Sequence, residues 1–113
     1  MSSELSAVFD HIDGQRDAYV TRLLDYVRHP SISAHNIGIR EVAAILVDLL
    51  QGLGMDARTV PTHGHPMVVA RWDGAPGKPT VLLYGHYDVQ PPDPLDLWTS
   101  PPFEPQIRDG RVY

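Results

Sequence analysis

The stretch VLLYGHYDVQPP, residues 81–92, runs from apolar residues into a glycine, an imidazole, one spacer, a carboxylate and then two prolines. The run 81–84 carries no polar alternation, which is the pattern of an interior strand covered on both faces, as in a mostly parallel sheet flanked by helices. In open α/β sheets ligands sit beyond the carboxyl ends of the strands, so His86 and Asp88 fall where chemistry is expected. Gly85 lets backbone approach closely, and the double proline stiffens the exit.

At i and i+2 of an extended chain, the His86 and Asp88 side chains leave on the same side and can serve one site. Three readings fit that pair. The imidazole is a metal ligand held by an outer carboxylate; the carboxylate orients a catalytic base; or the histidine is a hydrogen-bonded structural residue at a strand end.

Upstream, Leu5, Val8, Phe9 and Ile12, then Tyr19, Val20, Leu23, Leu24 and Val27, recur with helical period. They predict one amphipathic helix, kinked near Asp13 and Gly14 and stopped at His29 and Pro30. Residues 31–38 read as a loop with several candidate N-caps. Val42, Ile45, Leu46, Leu49, Leu50 and Leu53 then form a second helical stripe that Gly52 and Gly54 can stop. Residues 55–60, 67–72 and 80–84 are β-prone runs between turn-forming clusters, with 73–79 as a surface turn.

Downstream, six prolines between Pro91 and Pro105 forbid regular structure, yet Leu95, Leu97, Trp98 and Phe103 predict an ordered, packed loop. Residues 106–113 read as a strand, an Asp109-Gly110 turn and the start of a second strand, so that the chain stops in mid-hairpin.

At 113 residues one domain is expected, and a hydrophobic share of 42% is that of a folding chain. Nine Lys plus Arg against fourteen Asp plus Glu leave a net charge of −5 with no basic block, which argues against nucleic acid or anionic membrane as partner. With no cysteine, any metal must be held by His, Asp or Glu. No leader pattern and no run near the roughly 18 apolar residues of a membrane span are present, so a cytoplasmic, soluble protein is expected.

His63 and His65 form the other close histidine pair. They read as part of a polar loop at the far end of their strand from His86, while His11, His29 and His35 read as surface residues. Ser31 and Ser33 match no nucleophile elbow, and Trp72 and Trp98 read as packing residues.

The long run 79–113, together with ProSerIleSer at 30–33 and LeuGlyMet at 53–55, resembles the zinc-dependent peptidase family of carnosinase-type dipeptidases, acetylornithine deacetylase and succinyl-diaminopimelate desuccinylase. It is most similar to the dipeptidase branch. The resemblance implies that residues 1–113 form the amino-terminal portion of a catalytic domain. It matches His86 to the family's first metal-ligand histidine and Asp88 to the supporting, catalytic carboxylate. In such enzymes two zinc ions share a water that attacks an amide carbonyl, with a separate glutamate as general base.

The family's bridging aspartate, expected after a GlyArgGly beyond Tyr113, its glutamates, its distal histidine and its dimer-forming second domain are missing here. A catalytic zinc site typically needs three protein ligands, so the resemblance implies a homodimeric parent enzyme that hydrolyses small peptides or acylated amino acids, and an inactive chain in isolation. Imidazole and carboxylate ligands suit zinc, manganese and cobalt alike. The competing reading is a non-catalytic α/β binding or interaction module.

Overall fold

A computed structural model describes residues 3–113 of the chain. The element order is α1 (Ser3–Gly14), α2 (Arg16–Val27), a 3₁₀ turn (Ser33–His35), α3 (Ile39–Gly52), β1 (Asp56–Val60), β2 (Met67–Arg71), a second 3₁₀ turn (Leu95–Leu97), β3 (Ile107–Arg108) and β4 (Arg111–Val112). The chain divides into two compact units, one of Met1–Arg28 with Pro94–Tyr113, the other of His29–Asp93.

In the first unit, the expected single helix is two. Gln15 leaves the helical region at φ −106, ψ 7, directly after Asp13 and Gly14, which are poor helix formers. Its N–H still reaches His11 and Ile12 carbonyls, so the stripe continues across the break. None of the residues of α2 is buried, and Leu5, Val8, Phe9 and Ile12 of α1 remain about half exposed.

The carboxyl-terminal part of this unit ends in the expected hairpin. Ile107 pairs with Val112 and Arg108 with Arg111, while Asp109 and Gly110 both take positive φ, the backbone that the tightest hairpin turns require. Arg108 donates to Ser100 Oγ at 3.0 Å and stacks its guanidinium 4.2 Å above the Tyr113 ring. The proline-rich loop is thereby tied to the hairpin through Ser100, whereas Leu95, Leu97 and Trp98, expected to pack it, stay exposed.

The second unit contains the core. Ile39, Val42 and Ala43 on the inner face of α3 are buried with Ile32 and Ala57. Complete burial of side chains such as Ile39 and Val42 contributes about 1.5–3 kcal/mol each. β1 and β2 are antiparallel, with Ala57 opposite Ala70 and Thr59 opposite Val68. Two alanines facing each other leave room for a helix to approach, and Gln51 of α3 donates to the Ala57 carbonyl at 3.0 Å, pinning the helix end to the strand.

The N-cap of α3 is Gly38 rather than one of the polar side chains before it, and no side chain caps the helix. Gly38 sits at φ +68, and a Cβ built there would lie 1.8 Å from the Pro30 carbonyl oxygen. The expected stop also holds: Gly54 takes φ +80 just beyond Leu53.

Two sequence-based expectations are corrected. The mostly parallel sheet is not present among the described residues: both paired ladders are antiparallel, and the single parallel element is the isolated bridge between Ile32 and Val89. Residues 80–84 are not a strand, and Val81, Leu82, Leu83 and Tyr84 are 77, 90, 88 and 93% exposed. A strand exists only where a neighbour accepts and donates its backbone hydrogen bonds, and no described strand flanks this run. The fold is α/β, built from helices and antiparallel hairpins.

Candidate metal-ligand and carboxylate pair

His86, Asp88 and every residue that holds them lie in the second unit. Three successive residues, 87 to 89, are fastened to the loop that precedes α3. Ser31 Oγ donates to the Tyr87 carbonyl at 2.7 Å, the Val89 N–H donates to the Ser31 carbonyl at 2.8 Å, and Ser33 Oγ donates to Asp88 Oδ2 at 2.7 Å. The sequence reason is the alternation Ser-Ile-Ser: Ile32 goes into the core while both hydroxyls face the other way, toward residues 87 and 88.

A third segment closes the arrangement. Thr62 Oγ1 accepts the Gly64 N–H at 3.0 Å and donates to the His65 carbonyl at 2.7 Å, curling residues 62–65 into a tight turn. From that turn His65 Nε2 donates to the Ser33 carbonyl at 3.0 Å, and the Tyr87 hydroxyl donates to the Pro66 carbonyl. His65 therefore lies one hydrogen bond from Ser33, not at the remote end expected from its place before β2. Its loop is polar and exposed, as expected, and His11, His29 and His35 are exposed as well.

His86 Nδ1 faces two oxygens, the Asp88 carbonyl at 2.9 Å and Asp88 Oδ1 at 3.2 Å. Both are acceptors, so Nδ1 carries a proton, and in the neutral imidazole Nε2 keeps its lone pair. The His86 side chain is 77% exposed, which leaves that lone pair open to a ligand. An imidazole whose far nitrogen is held by a carboxylate is the usual state of a metal-binding histidine.

The Ser33 hydroxyl, with a further contribution from His86, holds the Asp88 carboxyl below the ordinary carboxylate range. Burial, aided by the Asp88 charge, pushes the Tyr87 phenol above its usual value. The order of contacts is Ser33, Asp88, His86, with the carboxylate in the middle. No imidazole takes the serine proton, so the trio is not arranged for nucleophilic serine chemistry.

No protein-family model matches the chain. Over its whole length the chain is 34% identical to the Cys-Gly metallodipeptidase dug1 of Schizosaccharomyces pombe, and the match covers 27% of that enzyme. Over 61% of its length it is 45% identical to the succinyl-diaminopimelate desuccinylase of Burkholderia multivorans, covering 19% of it. Its structure matches the crystal structure of the M20 family metallo-carboxypeptidase Sso-CP2 from Sulfolobus solfataricus with a TM-score of 0.79 and 40% sequence identity, over 83% of this chain and 22% of that one. The chain is similar to a fragment of the M20 metallopeptidases.

The chain spans about a quarter or less of the length of the relatives it matches. Among its described residues no group of three or more His, Asp or Glu side chains is placed to hold a metal ion, and His63, His65 and His86 do not converge on one. The geometry leaves His86 Nε2 as a candidate donor for one coordination position of a metal. No described helix is long and apolar enough to cross a membrane.

Ser31, Ser33 and Tyr87 were not expected to take part. The two serines belong to the ProSerIleSer segment, whose local pattern marks candidate N-caps and carries no sign of a distant partner. Its partner, Asp88, lies 55 residues further along the chain.

Proposed function

We propose that this chain forms the amino-terminal portion of the catalytic domain of a metal-dependent hydrolase that cleaves the amide bond of dipeptides or small acylated amino acids. His86 contributes one metal ligand through Nε2, and Asp88 holds the imidazole in the tautomer that frees that nitrogen. When bound, a zinc pair supplies a water of lowered pKa and a Lewis acid for the scissile carbonyl. The remaining ligands and the general base come from sequence outside this chain, and the isolated 113 residues are inactive. The working enzyme is a cytoplasmic homodimer.

The observation that carries this reading is the hydrogen bonding of His86, with Nδ1 turned onto two Asp88 oxygens and Nε2 exposed. The names of the metallodipeptidase and the desuccinylase support the substrate class. The test is metal analysis and a dipeptide panel on a protein spanning the full length of the relatives, with and without His86→Ala. The variant is expected to lose bound metal and hydrolysis together. Wild-type turnover and metal content in the variant would refute the assignment of His86.

A further inference from the structure

Asp88 has two oxygens and two side-chain torsions, and its partners divide the oxygens between them. Oδ2 accepts the Ser33 hydroxyl at 2.7 Å, and Oδ1 faces His86 Nδ1 at 3.2 Å, beside the Asp88 backbone carbonyl that faces the same nitrogen at 2.9 Å. The carboxylate is 44% exposed, so without a second anchor it is free to rotate toward water. Ser33 is itself fixed: it opens the 3₁₀ turn Ser33–His35, follows buried Ile32, and its carbonyl accepts from His65 Nε2 at 3.0 Å.

We infer that Ser33 is a positioning residue: by donating to Asp88 Oδ2 it turns Oδ1 onto His86 Nδ1 and so adds to the Asp88 carbonyl's preference for the imidazole tautomer that leaves Nε2 free. The neighbouring hydroxyl does something different. Ser31 bonds the Tyr87 carbonyl and so secures backbone, not the carboxylate. Two serines of one loop thus divide the work, one holding the path of the chain and the other the direction of a side chain.

The inference rests on the reading of His86 as a ligand for its meaning but not for its measurement, because the tautomer is a property of the metal-free chain. The experiment is ¹⁵N NMR of the imidazoles of the 113-residue chain at mildly alkaline pH, where free imidazoles are neutral. In the unaltered protein His86 is expected in the Nδ1–H form, and an Nε2–H form there overturns the inference without any mutation.

Ser33→Ala is expected to lower the ratio of Nδ1–H to Nε2–H by on the order of five-fold, the change carried by one hydrogen bond of ordinary net strength. Ser33→Thr, which keeps the hydroxyl, is expected to restore it, and Ser31→Ala to leave it unchanged. An unchanged tautomer in Ser33→Ala, or an equal change in Ser31→Ala, would reduce Ser33 to a packing residue of the loop. The ligand reading is tested apart from this: in metal-loaded protein of full length, a His86 Nε2 resonance that does not respond to metal refutes that reading and leaves the Ser33 result standing.

Discussion

The Ser33 hydroxyl and the Asp88 carboxylate meet at 2.7 Å across 55 residues of chain, and this bond does more than any other to hold Asp88 ionised. Its loss in Ser33→Ala is expected to raise the Asp88 pKa toward the ordinary carboxylate range, as read by NMR titration of the side-chain carboxyl. The folded-state value lies below the unfolded one, so Asp88 contributes stability that is fully present above the ordinary carboxylate range. That contribution is lost as the pH falls through the lowered value. Urea midpoints of the wild type and Ser33→Ala should therefore differ at neutral pH and converge in acid; a gap that persists at the lowest pH would mean that the hydroxyl acts by packing alone.

Gly38 makes a sharper demand on its position. It combines φ +68 with a Pro30 carbonyl oxygen where a Cβ would stand. Gly38→Ala is expected to destabilise the chain by about 2–4 kcal/mol, through left-handed strain plus displacement of the Pro30 backbone. Chemical denaturation with an unchanged slope measures it, and a loss below about 0.5 kcal/mol, the range of ordinary surface substitutions, would count against the geometry.

The exposed run 81–84 is an apolar, β-prone segment without a ladder partner. Such segments pair with other chains. The 113-residue protein is expected to self-associate in a concentration-dependent way by light scattering, and Leu82→Lys with Leu83→Lys to suppress it. A monodisperse monomer in the unaltered chain would contradict this.

Metal affinity follows from the ligand count. With one imidazole available and no group of three ligands among the described residues, the chain should bind zinc only weakly. Equilibrium dialysis against a mild chelator is expected to leave it essentially metal-free, and a retained stoichiometric ion would show that ligands converge in a way the structure does not have.

Local patterns were legible in the sequence and non-local ones were not. The stripe from Val42 to Leu53, the β-runs of β1 and β2, and the Asp109-Gly110 turn depend on neighbours a few residues away, and each formed where expected. His86 and Asp88 were brought together because two residues of separation suffice. The run 81–84 failed as a strand because its hydrogen bonds must come from another strand, which periodicity cannot supply. The roles of Ser31, Ser33 and His65 were hidden for the same reason: their partners are 56, 55 and 32 residues away.

The two serine anchors also bear on how the length of this segment can vary. They tie residues 87 to 89 back across α3, β1 and β2, and the stretch after Arg71 that completes this closure has no helix or strand; the free-energy cost of closing a flexible loop grows only with the logarithm of its length, about 0.6 kcal/mol for each doubling. The exposed turn at residues 73–79, with Gly77 at φ +78 and Lys78 bonded back to Ala75, lies inside that stretch and bears none of the bonds that hold residues 87 to 89. Extra residues can enter there while the carboxylate stays where it is. The spacing between the serines and the imidazole is thus free to drift at this turn alone, because α3, β1, β2 and the turn that carries His65 and Pro66 are held by the core and by their own bonds to Ser33 and Tyr87.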